Sequence, residues 1–294
     1  MRHIPVLLNE VSEYLDPKPG DKIIDATFSG GGHAEKILEK IKPNGKLLGI
    51  EIDTELFNEA KERFSKIKEI ILVNADYRDL EKIVKENNFI GADGVLLDLG
   101  LSSWHFEESK RGFSFRKDEL LDMRFTQNGE LTAREIINQW LPEEIEKILK
   151  EYGEEKFARK ITESIIDARK KKPIITTFQL VDVIKNAVPF WYQKKRQLNF
   201  ATKTFQALRI AVNDELENLK FVLKQLPKVL KRGGRAAVIS FHSLEDRIVK
   251  QDFKELNKSG IAHILTKKPI NPSEEEIAEN PRSRSAKLRV IEIL

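Results

Sequence analysis

The chain has no cysteine among its 294 residues. Disulfides, thiolate metal sites and cysteine nucleophiles are therefore excluded. No apolar run approaches the length of a membrane span. The first apolar stretch, "HIPVLL" from His3, is too short for a secretory signal and is followed by acids. These absences lead us to expect a cytoplasmic protein with no membrane partner. The five histidines, His3, His33, His105, His242 and His263, show no ligand spacing, so no metal is expected. Net charge is weak as well: +4 permits a polyanionic partner without requiring one. Basic residues do cluster, at 169–172, at 194–196, at Lys267 with Lys268, and at Arg282, Arg284, Lys287 and Arg289. For each cluster taken alone, a solvated face is the alternative.

What is present begins with a rhythm. "KIIDATF" (22–28), "KLLGIEID" (46–53), "EIILVNAD" (69–76) and "ADGVLLDLGLSS" (92–103) read as apolar strands. Amphipathic helical patterns such as "HAEKILEKI" separate them. Strand and helix in alternation imply a parallel sheet covered on both faces. From about residue 104 to 212 the strands stop, and "TAREIINQW", "EEIEKILKEY", "FARKITESIIDARKKK" and "TFQLVDVIKNAV" carry helical spacing. The sheet pattern then resumes: "DELENLKFVLKQLPKVL" as a helix, "KRGG" as a turn, and "RAAVISF" (235–241), "AHILTKK" (262–268) and "AKLRVIEIL" (286–294) as strands. The expectation is an α/β sheet domain interrupted by an all-helical insertion.

Three consecutive glycines, Gly30, Gly31 and Gly32, stand between the first strand and its helix in "DATFSGGGHAEKIL" (25–38). Glycine there lets a ligand approach the backbone. A Walker A loop needs Gly-Lys-Ser/Thr at the helix start, where His33 and Ala34 stand instead. A dinucleotide fingerprint counted from Gly30 reaches Gly32 and then Glu35, so its third glycine is missing. S-adenosylmethionine meets neither obstacle. Glu51, about 20 residues after the loop, ends the second strand and can accept both ribose hydroxyls. Asp76 and Tyr77, after the third strand, can flank the adenine. Asp98 ends the fourth strand, where open α/β sheets place ligands. Asp53 has a plainer reading, as the N-cap of the helix starting "TELFNEA".

Longer blocks carry a resemblance. "HIPVLLNEV", "DATFSGGGHAEKIL", "DGVLLDLGLSS", "RGFSFRKDELLDMRF", "TFQALRIAVNDELENL", "ISFHSLEDRIVK", "LTKKPI" and "NPRSRSAKLRV" follow one another in order from His3 to Val290. The chain resembles the MraW (RsmH) family of bacterial methyltransferases acting on small-subunit ribosomal RNA. The resemblance implies a class I, Rossmann-like, S-adenosylmethionine-dependent methyltransferase sheet at 1–103 and 213–294. It implies an inserted helical substrate-recognition subdomain at 104–212. It also implies methylation of the N4 amine of one cytidine in the decoding region of 16S ribosomal RNA, as free RNA or in the 30S particle; a homodimer is left open. The family's cofactor contacts fall on Gly31, Gly32, His33, Glu51, Tyr77, Asp98 and His105. Glu51 stands where the family usually has Asp, His105 where it often has Gln, and Lys203 where Arg is common.

Methyl transfer from a sulfonium to an amine needs placement more than acid or base help. Acceptors aimed at the N4 hydrogens would favour the attacking form, and Asp98 and Ser102 are the candidates. This chain has "DLGLSS" where many amino-methyltransferases carry an Asp-Pro-Pro-Tyr-type loop. Trp104, Phe106, Phe113 and Trp140 are therefore candidates to stack on the base; a place in the core is the other reading for each except Trp104, which stands in a polar loop. His242 is a candidate to contact the base or move a proton. Its alternative is a helix start, with Ser243 as N-cap and Asp246 completing a capping box. Arg282, Arg284 and Lys287 are candidates to grip RNA phosphates.

Overall fold

A computed structural model describes residues 5–127, 129–194 and 199–294. His3, and Lys195 and Arg196 of one basic cluster, lie outside the described residues. The chain divides into two compact units, one made of 1–100 and 216–294, the other of 101–215.

The first unit is built on a seven-stranded sheet of order β3-β2-β1-β4-β5-β7-β6. Its strands are β1 (Lys22–Asp25), β2 (Lys46–Glu51), β3 (Ile70–Asn74), β4 (Ala92–Asp98), β5 (Leu230–Ser240), β6 (Ala262–Ile264) and β7 (Lys287–Ile293). The pairs β1–β2, β2–β3, β1–β4 and β4–β5 are parallel, while β5–β7 and β6–β7 are antiparallel. Successive side chains of a strand point to opposite faces, and both faces of this sheet are buried. Ile23, Leu47, Leu96 and Ala237 feed one core. Their neighbours Ile24, Leu48, Leu97 and Val238 feed the other. This is why these strands read as continuous apolar runs rather than as alternation.

Two local readings change. "DELENLKFVLKQLPKVL" forms helices Glu215–Leu223 and Leu226–Val229 rather than one helix. Pro227 has no N–H to continue the first helix and opens the second. "KRGG" lies inside β5 rather than before it: Ala92 pairs with Leu230, yet Gly94 pairs with Arg235, so residues 231–234 bulge outward. Gly233 supplies the positive φ of 78° that the bulge needs.

The second unit packs helices Ala133–Gln139, Pro142–Glu151, Ala158–Lys171, Thr177–Ala187 and Thr202–Asn213 around a core of its own. It runs from Leu101 to Glu215. Glu215 is held by Arg209 of the same unit through two hydrogen bonds of 2.7 and 2.8 Å.

Gly49 of β2 shows how tightly the first unit is packed. A Cβ there would lie 2.4 Å from the Phe28 ring and 2.7 Å from Leu72. Gly49→Val is expected to cost about 1–3 kcal/mol through overpacking, read as a lower urea midpoint with unchanged slope. An unchanged midpoint would contradict this packing.

Candidate active site

The order of the parallel strands reverses between β1 and β4. Ligands of open α/β sheets bind beyond the carboxyl ends of the strands at such a point. Three acids end the strands around it: Asp25 on β1, Asp98 on β4 and, one strand further, Glu51 on β2.

The chain leaving β1 is pinned at each step. Ala26 donates its amide to the Leu96 carbonyl at 2.9 Å, and Phe28 to the Ile50 carbonyl at 2.9 Å. The Thr27 hydroxyl accepts the Asp98 amide at 2.6 Å, joining the ends of β1 and β4. Ser29 takes a left-handed conformation, φ 48°, that non-glycine residues seldom adopt. Its amide donates to Glu51 Oε2 at 2.7 Å, which compensates the strain. Helix Gly32–Ile41 follows. Arg63 closes the outside of the loop, donating to the Gly30 carbonyl at 2.5 Å and pairing with Glu35.

The glycines have a packing reason that sequence reasoning missed. Gly31 has φ 72°, and a Cβ on it would lie 2.7 Å from the Phe64 ring. A Cβ on Gly32 would lie 2.4 Å from Pro5. Phe64 also meets Phe28 edge-on, with centroids 5.3 Å apart. Close approach at these two positions is thus already made by the protein's own side chains.

Both oxygens of Glu51 accept a backbone amide. Its Oε1 accepts the Asp53 amide at 2.8 Å, beside the Ser29 bond to Oε2. Burial pushes its carboxyl up to about 8, more than these two bonds lower it. Each oxygen still has a lone pair for a further donor. Asp53 accepts from the Glu55 amide at 2.9 Å and caps helix Thr54–Arg63, as its plainer reading had it.

His33 and Asp98 meet within the unit. His33 Nε2 lies 3.5 Å from Asp98 Oδ2, without hydrogen-bond geometry. Both ring nitrogens of His33 and Oδ1 of Asp98 are buried with no hydrogen-bond partner among the described residues. Asp25 is buried beside them. Burial raises its carboxyl to about 6, and the His33 charge partly opposes that. Tyr77 begins a 3-10 turn, Tyr77–Asp79, after β3; Asp76 caps it by accepting the Arg78 amide at 2.8 Å.

At the end of β5 the structure corrects the sequence reading. The N-cap of helix Ser243–Lys258 is His242 itself, not Ser243, and Glu245 completes the capping box, not Asp246. His242 Nδ1 accepts the Glu245 amide at 3.3 Å, and Nε2 lies 3.2 Å from Glu245 Oε1. Asp246 instead binds Arg289 at 2.7 Å and Lys287 at 3.3 Å. Lys287, one of the three cations assigned to RNA phosphates, is thus tied inside the unit together with Arg289 of the same cluster, while Arg282 and Arg284 are exposed.

The remaining candidates belong to the second unit. Ser102 Oγ and His105 Nδ1 share a hydrogen bond of 2.8 Å, and both residues are buried. The His105 ring meets Trp104, Phe113 and Phe125 edge-on. Phe113 is a core residue, and Phe106 and Trp140 pack against that core. Trp104 carries the Arg111 guanidinium over its ring at 5.4 Å. Arg169 spends its donors on the Ile137 and Trp140 carbonyls, 2.9 Å away in each case.

A family model described as the MraW methylase family matches residues 1–294. The chain belongs to that family. It is 45% identical to the "Ribosomal RNA small subunit methyltransferase H" of Caldicellulosiruptor saccharolyticus, with 99% of this chain and 98% of the relative covered. Proteins of the same description from Thermotoga neapolitana and Dictyoglomus thermophilum are each 46% identical, with 99% and 98% of this chain covered and 96% and 95% of the relatives. As an MraW methylase the chain is a methyltransferase that uses S-adenosyl-L-methionine. The α/β sheet with its antiparallel β5–β7–β6 edge is the Rossmann-like class I sheet expected. Among the described residues no helix is long and apolar enough to cross a membrane.

Sequence reasoning missed Asp25, Thr27, Ser29 and Arg63 in this MraW methylase. Asp25 was visible as the acid closing the first apolar run. Thr27, Ser29 and Arg63 act through bonds to residues far along the chain, which no spacing reveals.

His242 can be tested for a purely capping role. Asn is a strong N-cap, so His242→Asn is expected to keep wild-type thermal stability, while His242→Ala loses about 1 kcal/mol. Equal loss in both variants would refute the capping assignment, and methylation lost by a stable His242→Asn variant would mark a chemical role.

Proposed function

We propose that this methyltransferase modifies small-subunit ribosomal RNA, at the N4 amine of one cytidine in the decoding region. The RNA class rests on the names of the relatives. The site rests on one observation: at the strand switch point, buried His33 and half-buried Asp98 hold buried polar atoms that nothing in the described chain satisfies. Buried polar atoms without partners are rare, and a ligand rich in donors and acceptors answers them.

The donor, when bound, supplies an electrophilic methyl on a sulfonium. Glu51 holds the ribose hydroxyls with the lone pairs left after Ser29 and Asp53. The backbone at Gly31 and Gly32, His33 at the start of its helix, and Tyr77 complete the cofactor side; His105 is a further candidate that the family resemblance supplies. Asp98 and Ser102 accept from the N4 hydrogens and favour the attacking lone pair. His242 keeps the chain after β5 in place through its cap. The target base is extruded from its stack to reach such a pocket. The helical unit 101–215 serves RNA recognition. The substrate is free RNA or the 30S particle, with a homodimer left open.

Asp98→Ala is expected to lower methyl transfer by about 100-fold or more while leaving thermal stability intact. The check is transfer of labelled methyl to small subunits, followed by mapping of the modified nucleotide. Undiminished turnover would refute the site, and a label on any other position would refute the target.

Glu51 predicts a pH dependence. Ribose hydroxyls donate to, and so favour, the ionised carboxylate, whose pKa is about 8 in the free protein. Below that value binding must release a proton. Adenosine affinity is therefore expected to rise up to tenfold per pH unit from about pH 6 and to level off above about 8. Affinity that is flat or falls over this range, measured by calorimetry, would remove Glu51 from the ribose.

A further inference from the structure

We infer that Phe190 and Trp191, on the short helix Phe190–Gln193 of the second unit, form a stacking platform for single-stranded RNA. The inference rests on the RNA substrate proposed above and assigns one surface that would receive it.

The two rings are 67% and 61% exposed. Rings of this size normally bury most of their area, so side-by-side exposure of two of them marks an interaction surface. They are not loose. Tyr192, next in the chain, is buried and donates its hydroxyl to the two Glu155 oxygens at 3.0 and 3.1 Å. Burial and the Glu155 charge raise the Tyr192 phenol, so it stays protonated and keeps donating. Trp191 is braced edge-on by Phe157 and Tyr192, with centroids 5.9 and 5.8 Å away. Gln193 ties the short helix to the preceding one through the Lys185 and Val188 carbonyls, at 2.9 and 3.1 Å. The platform is therefore set before any partner arrives. Its order need not be supplied by binding energy.

The surroundings choose the partner. The Lys194 ammonium sits 4.4 Å above the Phe190 ring. Lys156, Lys160 and Lys185 are exposed on the segments that brace the platform. Glu155 is buried under Tyr192, and Glu163 on the same stretch pairs with Arg159 at 2.9 Å. Asp167, further along helix Ala158–Lys171, pairs with Lys170 at 3.3 Å, and Glu154 and Asp182 are further acids on these segments. Lysine is depleted at protein–protein interfaces, because burying its hydrated ammonium is costly. A nucleic acid strand uses both features, stacking bases on the rings and placing phosphates by the ammoniums. Adjacent residues lie about 100° apart around a helix, so the two rings take separate bases. Separately presented bases belong to single-stranded RNA, since a duplex keeps its bases stacked inside.

The test uses the full chain and a mixed-sequence oligoribonucleotide of about 12 nucleotides, single-stranded or annealed to its complement. Phe190→Ala/Trp191→Ala is expected to weaken single-strand binding by roughly tenfold or more at fixed salt, with duplex binding and the urea midpoint unchanged. Trp191→Phe should retain most of the affinity but lose the fluorescence quenching that the single strand causes in the wild type. Single-strand affinity within about twofold of wild type in the double variant would overturn the platform. So would a protein partner that needs both rings while RNA binding does not. Methylation of small subunits by the same proteins separates the two claims. Methylation intact with single-strand binding unaffected by the double variant sinks the platform alone. Single-strand binding that needs the rings, in a protein that methylates no ribosomal RNA, sinks the proposed substrate alone.

Discussion

Glu51 accepts the Ser29 amide through one oxygen and the Asp53 amide through the other. The first bond holds a left-handed serine at the turn out of β1, and the second fixes the turn out of β2. Asp53 in turn caps the helix that brings Arg63 and Phe64 back against the glycine loop. Loop, strand end and helix start thus meet at one buried carboxylate. An apolar side chain at 51 would remove both acceptors and release the strained serine.

The arrangement is electrostatically costly. Burial raises Asp25 to about 6 and Glu51 to about 8, both well above ordinary carboxyl values. Neither acid has a cation bonded to it in the described chain. Acids in this condition, ringed by backbone donors and a buried histidine, are common where a ligand completes the charge balance. The sheet bears the cost because both of its faces are buried in separate apolar cores, which hold the strand ends still.

Much of the first unit was legible in its strands. "KIIDATF", "KLLGIEID" and "ADGVLLDLGLSS" each hold a continuous apolar run because a doubly covered sheet buries both faces of a strand, and that is a local signal. Asp53 as a cap was equally local, since its partner is two residues away. His242 was half legible: a helix start was visible after "ISF", but choosing between His242 and Ser243 as the cap depends on backbone angles. Lys287 looked like part of a nucleic-acid surface because its partner, Asp246, lies more than 40 residues away in the chain. Of the two readings open for Phe113, base clamp or core, the core is the one found, in the second unit.

By itself the sequence determined the strand–helix alternation, the glycine turn, the acids closing β2 and β4, and the family these blocks resemble. All of these are read from neighbours within a few residues, or from blocks preserved in order. Tertiary structure alone decided that β1 lies between β2 and β4, that Thr27 joins two strand ends, and that the glycines make room for Phe64 and Pro5. It also decided that His33 and Asp98 meet with polar atoms unsatisfied. Such facts depend on which distant segments pack together, and packing is a property of the folded whole rather than of any stretch of chain.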